Sequence, residues 1–473
     1  MTLFGTAGIR GPVETRVTPA LALAVGQAAG EPGETFVVGR DGRETGPALA
    51  AAMEAGLESA GSDVVRVGQV PTPALAYASQ GRRGVMLTAS HNPPADNGIK
   101  LFVDGVEYDR HAERRIEDAL ESARDPTSTS EPSVAPWDEW GRSERLSVLD
   151  AYRDAVVDYL RRQFPVSGDD SSAPAGADVL SGLSVAVDCG NGMGALATPQ
   201  VLERLGAEVV ALNANVDGYF SARASKPTPE TLTDFTAFLA DGSFDLGLAH
   251  DGDADRLVVL GPDGEVIHED TILAVVAAHY TRTSDAADPV VVTTPNASAR
   301  IDELVRDAGG RVERVRLGAL HEGIARERER GGEDTAVVFA AEPWKHVHTA
   351  FGGWIDGVVS AAAVAALTRA AGDTDALREP VTERPYRKVS VECPDEAKGD
   401  AMVVLETALP EAFPDAEGDT DYGVRLEFPD ASWVLVRPSG TEPYVRIYAE
   451  SDEVDRLVDA ARDVLEETIT RVR

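Results

Sequence analysis

Thr35-Phe36-Val37-Val38-Gly39-Arg40-Asp41-Gly42-Arg43-Glu44-Thr45 runs from an apolar segment into a Gly/Asp-rich turn, and an Ala- and Leu-rich stretch follows it. A short apolar run bounded by turn residues reads as a buried strand, and the run behind it has helical composition. The same design recurs at residues 184–194 and 289–299. Elsewhere, too, apolar runs alternate with Ala- and Leu-rich stretches, which predicts α/β architecture with parallel or mixed sheets and three related α/β domains. A chain of 473 residues is too long for one core, so several domains are expected.

Pro/Ser/Asp-rich stretches at 124–144 and 165–182 interrupt the pattern. The first reads as a domain boundary ahead of a helix over 146–162, the second as a surface loop. After an Ala-rich helix at 360–371, strand-like runs at 432–436 and 445–448 predict a separate, smaller α+β domain. The expected domains are 1–145, 146–256, 257–370 and 371–473.

Composition excludes several function classes. No stretch approaches the ~20 apolar residues of a membrane span, and no basic segment leads into an apolar one at the start, so a cytoplasmic location is expected. Cys189 and Cys393 stand far apart in no metal-ligand spacing, which argues against a disulfide framework or a zinc site. With 80 acidic against 44 basic residues the net charge is -36, a poor match for nucleic acid or anionic membranes.

Four motifs carry chemistry. Thr88-Ala89-Ser90-His91-Asn92-Pro93 follows the apolar Val85-Met86-Leu87. A serine on a turn leaving a strand sits among backbone N–H groups, a seat for a phosphorylated hydroxyl. By itself it is also a helix cap or tight turn, and it lacks the Gly-x-Ser-x-Gly elbow of serine hydrolases. Asp251-Gly252-Asp253-Ala254-Asp255-Arg256 places three carboxylates at alternate positions, able to converge on one hard cation such as Mg²⁺. Arg256 and Pro262 stand where an EF-hand needs glycine and glutamate, and a solvated acidic turn is the alternative. Arg437-Pro438-Ser439-Gly440-Thr441-Glu442-Pro443 joins a guanidinium fork to hydroxyls and close backbone N–H groups, with Arg446 just beyond, as a phosphate site requires. Glu342-Pro343-Trp344-Lys345-His346 combines a carboxylate, an aromatic ring and a histidine, which suits a sugar or an ordinary surface loop.

Together, in this order, the motifs resemble the α-D-phosphohexomutase superfamily, which includes phosphoglucomutase, phosphomannomutase and phosphoglucosamine mutase. The resemblance spans nearly the whole chain, from Phe4-Gly5-Thr6-Ala7-Gly8-Ile9-Arg10-Gly11 onward. It implies three similar mixed-sheet α/β domains and a smaller fourth around a central cleft, and an isomerase acting as an intramolecular phosphotransferase. Ser90 matches the phosphoserine. Asp251, Asp253 and Asp255 match the Mg²⁺ ligands, with the Ser90 phosphoryl oxygen completing the set. Arg437, Ser439, Gly440 and Thr441 match the loop for the non-reacting phosphate, with Arg446 as helper. Glu342 and His346 match the sugar loop, while Arg10, Lys100 and Arg256, together with His91, fall around the transferring group.

The implied reaction interconverts 1-phospho and 6-phospho sugars of the glucose/mannose type, with a sugar 1,6-bisphosphate as intermediate and activator. The start of the chain and Asp96-Asn97-Gly98-Ile99-Lys100 lean toward phosphoglucosamine mutases. A sugar-phosphate sensor without activity and a phosphatase are the other readings. Where the superfamily commonly has Glu-x-Ser-Gly-His, Trp344 and Lys345 replace Ser-Gly, which puts sugar identity in doubt. Arginine cannot release a proton, whereas a lysine whose pKa is lowered by nearby cations can, so Lys100 is the candidate general acid/base, with a purely electrostatic clamp as its other reading, and His346 is the second candidate. A monomer or dimer is expected.

Only five of the basic residues are lysines, and acid excess with scarce lysine resembles proteins of a high-salt cytoplasm such as that of a halophilic archaeon. The acidic surface repels itself over a Debye length of about 30 Å at 0.01 M salt and about 3 Å at 1 M. The melting temperature should therefore rise with KCl in a thermal titration, and greatest stability near 0.01 M would show that the composition is no salt adaptation.

Overall fold

The computed structural model describes residues 3–5, 8–124, 134–165, 178–439 and 443–472. They divide into two compact units, Met1–Ile272 with Trp344–Leu377 and Leu273–Pro343 with Arg378–Arg473.

The first unit holds a seven-stranded mixed sheet ordered Ile9–Pro12, Asp96–Val103, Arg83–Leu87, Thr35–Arg40, Asp63–Gln69 and Ser143–Arg145, with Val106–Glu107 added to Asp96–Val103. Thr35–Arg40 reads as a continuous apolar run because helices cover the sheet: Phe36 and Val38 pack with Leu49, Met53 and Leu57 of Gly46–Ser59 and with Leu21 and Val25 of Pro19–Ala29. The helix Pro19–Ala29 starts where Thr18 Oγ1 accepts a bond from Leu21 N (3.2 Å) and a proline fills the first turn.

Thr35–Arg40 and Arg83–Leu87 are parallel, and Arg40 pairs with Leu87, so the turns beginning at Asp41 and Thr88 emerge side by side. Asp96–Val103 then returns antiparallel. The segment 88–95 is thus a loop at the carboxyl ends of two parallel strands, the edge where open α/β sheets bind ligands.

The second sheet of this unit is ordered Val266–Ile267, Leu257–Leu260, Leu246–His250, Ser184–Asp188 and Glu208–Leu212. Leu246–His250 is buried throughout, parallel to Ser184–Asp188 and antiparallel to Leu257–Leu260. Because His250 pairs with Leu257, residues 251–256 form the loop between them. The helix expected over 146–162 is Leu149–Gln163, and the Ala-rich helix is Gly357–Ala371. Much of the two polar stretches, residues 125–133 and 166–177, lies outside the described residues.

In the second unit Asp288–Thr293 lies between Arg311–Arg314 and Thr335–Glu342, all parallel. An antiparallel sheet ordered Tyr386–Glu392, Tyr444–Glu450, Trp433–Pro438, Val424–Glu427 and Glu417–Asp419 forms the expected α+β tail, with helices Asp395–Ala412 and Val454–Val472. Val434, Val436 and Ile447 meet Leu405, Leu409, Leu457 and Leu465 in its core. The three strand–turn–helix units of the sequence are all present, the third continuing into Arg300–Asp307. Both cysteines are free and buried, and no described helix is long and apolar enough to cross a membrane.

One ion pair of the second unit is fully buried: Arg300 Nη2 donates to Glu450 Oε1 (2.8 Å), and Trp433 Nε1 donates to Glu450 Oε2 (3.1 Å). Neutralising one partner strands the other charge, so Glu450→Gln should cost about 3 kcal/mol in urea unfolding. Asp455→Ala, which breaks the exposed Arg387–Asp455 pair, should cost no more than ~0.5 kcal/mol. Equal small effects would contradict this assignment.

Candidate active site

Ser90 lies wholly buried at the tip of the loop after Arg83–Leu87, with its backbone at φ 52. Its N–H donates to Thr88 Oγ1 (2.9 Å), and its hydroxyl donates to Asp251 Oδ2 (2.7 Å). His91 Nδ1 stands 3.3 Å from the same hydroxyl. Gly252 makes this approach possible, since a Cβ there would lie 2.6 Å from the Ser90 carbonyl oxygen.

Asp251, Asp253 and Asp255 are all buried, and each offers an oxygen within 4.8 Å of the others'. Asp253 Oδ1 and Asp255 Oδ1 make no hydrogen bond among the described residues. Converging, unsatisfied carboxylate oxygens fit a hard divalent cation and fit little else. Burial, then the charges of Asp255 and Asp253, push the Asp251 carboxyl well up. Burial also opposes ionisation of Asp255, but Lys100, Lys345 and Arg256 outweigh it and hold its pKa down.

Lys100, 2% exposed, donates to Asp255 Oδ2 (2.9 Å) and lies 3.5 Å from Glu107 and 3.7 Å from Asp253. The cations expected to lower its pKa are not its main neighbours. Burial does lower it, but Asp255, Glu107 and Asp253 prevail and hold the ammonium above the ordinary lysine range. Arg256 Nε stands 3.7 Å from Asp251 and 3.8 Å from Asp255. Arg10 pairs with Gly98 in the antiparallel register, two residues from Lys100, and its buried Nε lacks a hydrogen-bond partner among the described residues. Burial, then the charges of Arg256 and Arg10, push the His91 imidazole down to about 3. Two guanidiniums therefore flank the serine loop.

His346 is not on the surface of the sugar loop. Its ring is 2% exposed with Nδ1 3.2 Å from Ser360 Oγ, and burial pushes it down to about 4. It belongs to Lys345–Val347, which follows Trp344 (φ 69), whose carbonyl accepts from Leu257 N (3.1 Å). In the second unit, Glu342 ends its strand and accepts from Gly318 N (2.5 Å). Arg437 and Arg446 stand directly opposite each other on adjacent strands, a like-charge pairing that an anion relieves. Arg437 donates to Tyr448 Oη (3.0 Å), while its Nε and the buried Ser439 hydroxyl have no hydrogen-bond partner among the described residues. Gly440 and Thr441 lie outside the described residues.

The chain matches four family descriptions in sequence: phosphoglucomutase/phosphomannomutase alpha/beta/alpha domain I over residues 1–126, domain II over 171–264, domain III over 268–384 and the C-terminal domain over 389–467. It is 37% identical over 481 residues to the phosphopentomutase of Thermococcus kodakarensis, covering 100% of this chain and 98% of that one. It is 39% identical over 483 residues to the probable phosphoglucosamine mutase of Methanopyrus kandleri, covering 99% and 97%. Among solved structures, a phosphoglucomutase/phosphomannomutase family protein of Burkholderia thailandensis aligns with a TM-score of 0.80 at 26% identity, covering 99% of this chain and 97% of that one.

Several supporting residues gave no signal in the sequence because they come from distant segments. Asp41 Oδ2 accepts from Thr88 Oγ1 (2.7 Å), and Lys398 donates to the Ser439 carbonyl (2.8 Å). Thr72, at the start of Thr72–Ala78, holds Asp253 twice, at its carboxylate and at its backbone: its Oγ1 donates to Asp253 Oδ2 (2.7 Å) and its N–H to the Asp253 carbonyl (3.0 Å). Groups that orient a metal ligand typically matter about ten-fold or more for affinity. Thr72→Val should accordingly weaken Mn²⁺ binding in calorimetry by roughly ten-fold without unfolding the protein, and unchanged affinity would deny Thr72 this role.

Proposed function

We propose, for a chain that belongs to the phosphoglucomutase/phosphomannomutase family and is thus an isomerase that transfers a phosphoryl group within a sugar phosphate, that Ser90 carries that group. The observation that supports this reading is the Ser90 hydroxyl bonded to Asp251, one of three converging carboxylates.

Asp251, Asp253, Asp255 and an oxygen on Ser90 would hold Mg²⁺, which when bound neutralises charge on the phosphoryl group. Phosphoryl transfer needs mainly positioning and charge neutralisation. In the first half-reaction the P–O bond to Ser90 breaks as a sugar hydroxyl oxygen bonds to phosphorus and gives up its proton. Arg10, Arg256 and His91 line this position, and Lys100 holds Asp255. Lys100, whose ammonium Asp255, Glu107 and Asp253 hold charged, is the proposed donor of the proton that a departing oxygen takes, and His346, neutral in its buried position, is the second proton-carrier candidate. The bisphosphate then reorients, and its other phosphate returns to Ser90 as the departing sugar oxygen takes a proton. Arg437, Ser439, Gly440, Thr441 and Arg446 bind the phosphate that is not reacting, and Glu342 binds sugar hydroxyls. A four-domain division belongs to the same reading, with its second boundary after Val266–Ile267 and its last after Gly357–Ala371, since a cut at 256 would split the second sheet and one at 370 that helix.

The substrate we propose is a hexose phosphate of the glucose/mannose type, with a sugar 1,6-bisphosphate as activator. Glucosamine phosphate is the second reading, favoured by the name of the Methanopyrus kandleri relative, and the Thermococcus kodakarensis relative adds a pentose to the comparison. Turnover of the 1-phosphates of glucose, mannose, glucosamine and ribose, with Mg²⁺ and a trace of bisphosphate, ranks these. In each case Ser90→Ala should remove nearly all activity, about the hundred-fold or greater loss expected of a covalent nucleophile. A fully active Ser90→Ala enzyme would end the proposal.

A further inference from the structure

Ser90 has a left-handed backbone, which is costly for a residue other than glycine and persists only where the surroundings over-determine it. The loop also carries an unusual burden of acceptors. Pro93 and Pro94 have no N–H, so the carbonyls of Asn92 and Pro93 face a stretch without donors of its own. Buried carbonyls need partners, and here they converge on one side chain.

That side chain is Arg43, wholly buried in the turn after Thr35–Arg40. Its Nη1 donates to the carbonyls of Pro93 (2.6 Å) and Asp96 (2.9 Å). Its Nη2 donates to those of Ser90 (3.0 Å) and Asn92 (2.8 Å). Its Nε donates to Asp41 Oδ2 (3.0 Å), and Asp41 also accepts from Arg43 N (3.0 Å) and Thr88 Oγ1 (2.7 Å). Phe220 lies against the guanidinium, its ring centroid 5.0 Å from Cζ. All five N–H bonds of the guanidinium are used, three of them on the serine loop and one on the first residue of the strand that follows it.

We propose that Arg43 is the positioning residue of the phosphoserine loop: by gripping the carbonyls of Ser90, Asn92, Pro93 and Asp96 it fixes the left-handed turn that aims the Ser90 hydroxyl at the metal-binding carboxylates. The inference rests on Ser90 as phosphoryl carrier. A trans peptide points its N–H away from its C=O, so anchoring the Ser90 carbonyl on Arg43 directs the His91 N–H away from the guanidinium. The same grip holds the Ser90 carbonyl where Gly252 leaves room for it. Lysine cannot substitute, because three donors on a point charge cannot span four carbonyls and a carboxylate that a planar five-donor fork reaches.

The test is Arg43→Lys, which keeps the charge, assayed with glucose 1-phosphate and glucosamine 1-phosphate. The folded variant should lose roughly ten- to hundred-fold in kcat with KM little changed, as small displacements of a reacting group do. Hydrogen exchange should quicken in peptides covering 88–98 and stay the same elsewhere. A folded variant with wild-type kcat and wild-type exchange there overturns the proposal, as does a variant that loses stability everywhere while its folded fraction keeps full kcat. If the variant does not fold, exchange in the wild-type protein decides: amides of 88–98 should be among the slowest of the first unit, and exchange as fast as in exposed loops overturns the inference. Phosphopeptide mapping of the same samples separates the two failures. No phosphate on wild-type Ser90 removes the carrier reading, whereas phosphate on Ser90 together with wild-type kcat in Arg43→Lys removes only the role of Arg43.

Discussion

Three carboxylates buried within 4.8 Å of one another is the constraint to which the rest of the first unit answers. Two unit charges about 4 Å apart interact by roughly 4 kcal/mol at an effective dielectric near 20, so the cluster cannot stand ionised without cations. Lys100 and Arg256 supply part of the compensation from the protein itself. The unsatisfied oxygens of Asp253 and Asp255 mark what remains for a divalent ion. Thr72 holds Asp253 in place, and Gly252 keeps the loop bare where the Ser90 carbonyl approaches. The serine thus meets a site whose geometry is set before any sugar arrives.

The same electrostatics appear on two scales. A chain of net charge -36 repels an anionic substrate at long range, yet Arg10, Arg256 and Lys100 cluster at the serine loop, and Arg437 and Arg446 face each other across two strands of the second unit. Short contacts in partly desolvated surroundings are screened far less than surface charges. Phosphate recognition can therefore persist against the global field.

Much of this was legible in the sequence because it is local. The alternating acidic residues of 251–256 and the Ser90 turn are contiguous motifs, and the apolar run Phe36-Val37-Val38 ahead of a Gly/Asp turn declares its strand. What could not be read depends on pairing between strands. Arg43 lies in the strand-and-turn stretch 35–45, yet only the Arg40–Leu87 register brings it under the serine loop. Thr72 is an ordinary helix start until it meets Asp253 from 181 positions away. His346 follows a sugar-loop pattern, but its strand turns the ring inward toward Ser360, and nothing in Trp344-Lys345-His346 announces that. The carboxylates around Lys100 were equally invisible, since Glu107 comes from the strand paired with its own and Asp255 from the loop of the other sheet.

The central claim is that Ser90 is the way station of the phosphoryl group. The most direct measurement incubates the purified enzyme with radiolabelled glucose 1,6-bisphosphate, digests it and follows the label. Stoichiometric label should appear in the peptide containing Ser90 and be chased fully into sugar monophosphate when unlabelled monophosphate is added. Label that passes between sugar phosphates during turnover without ever residing on Ser90 would contradict it.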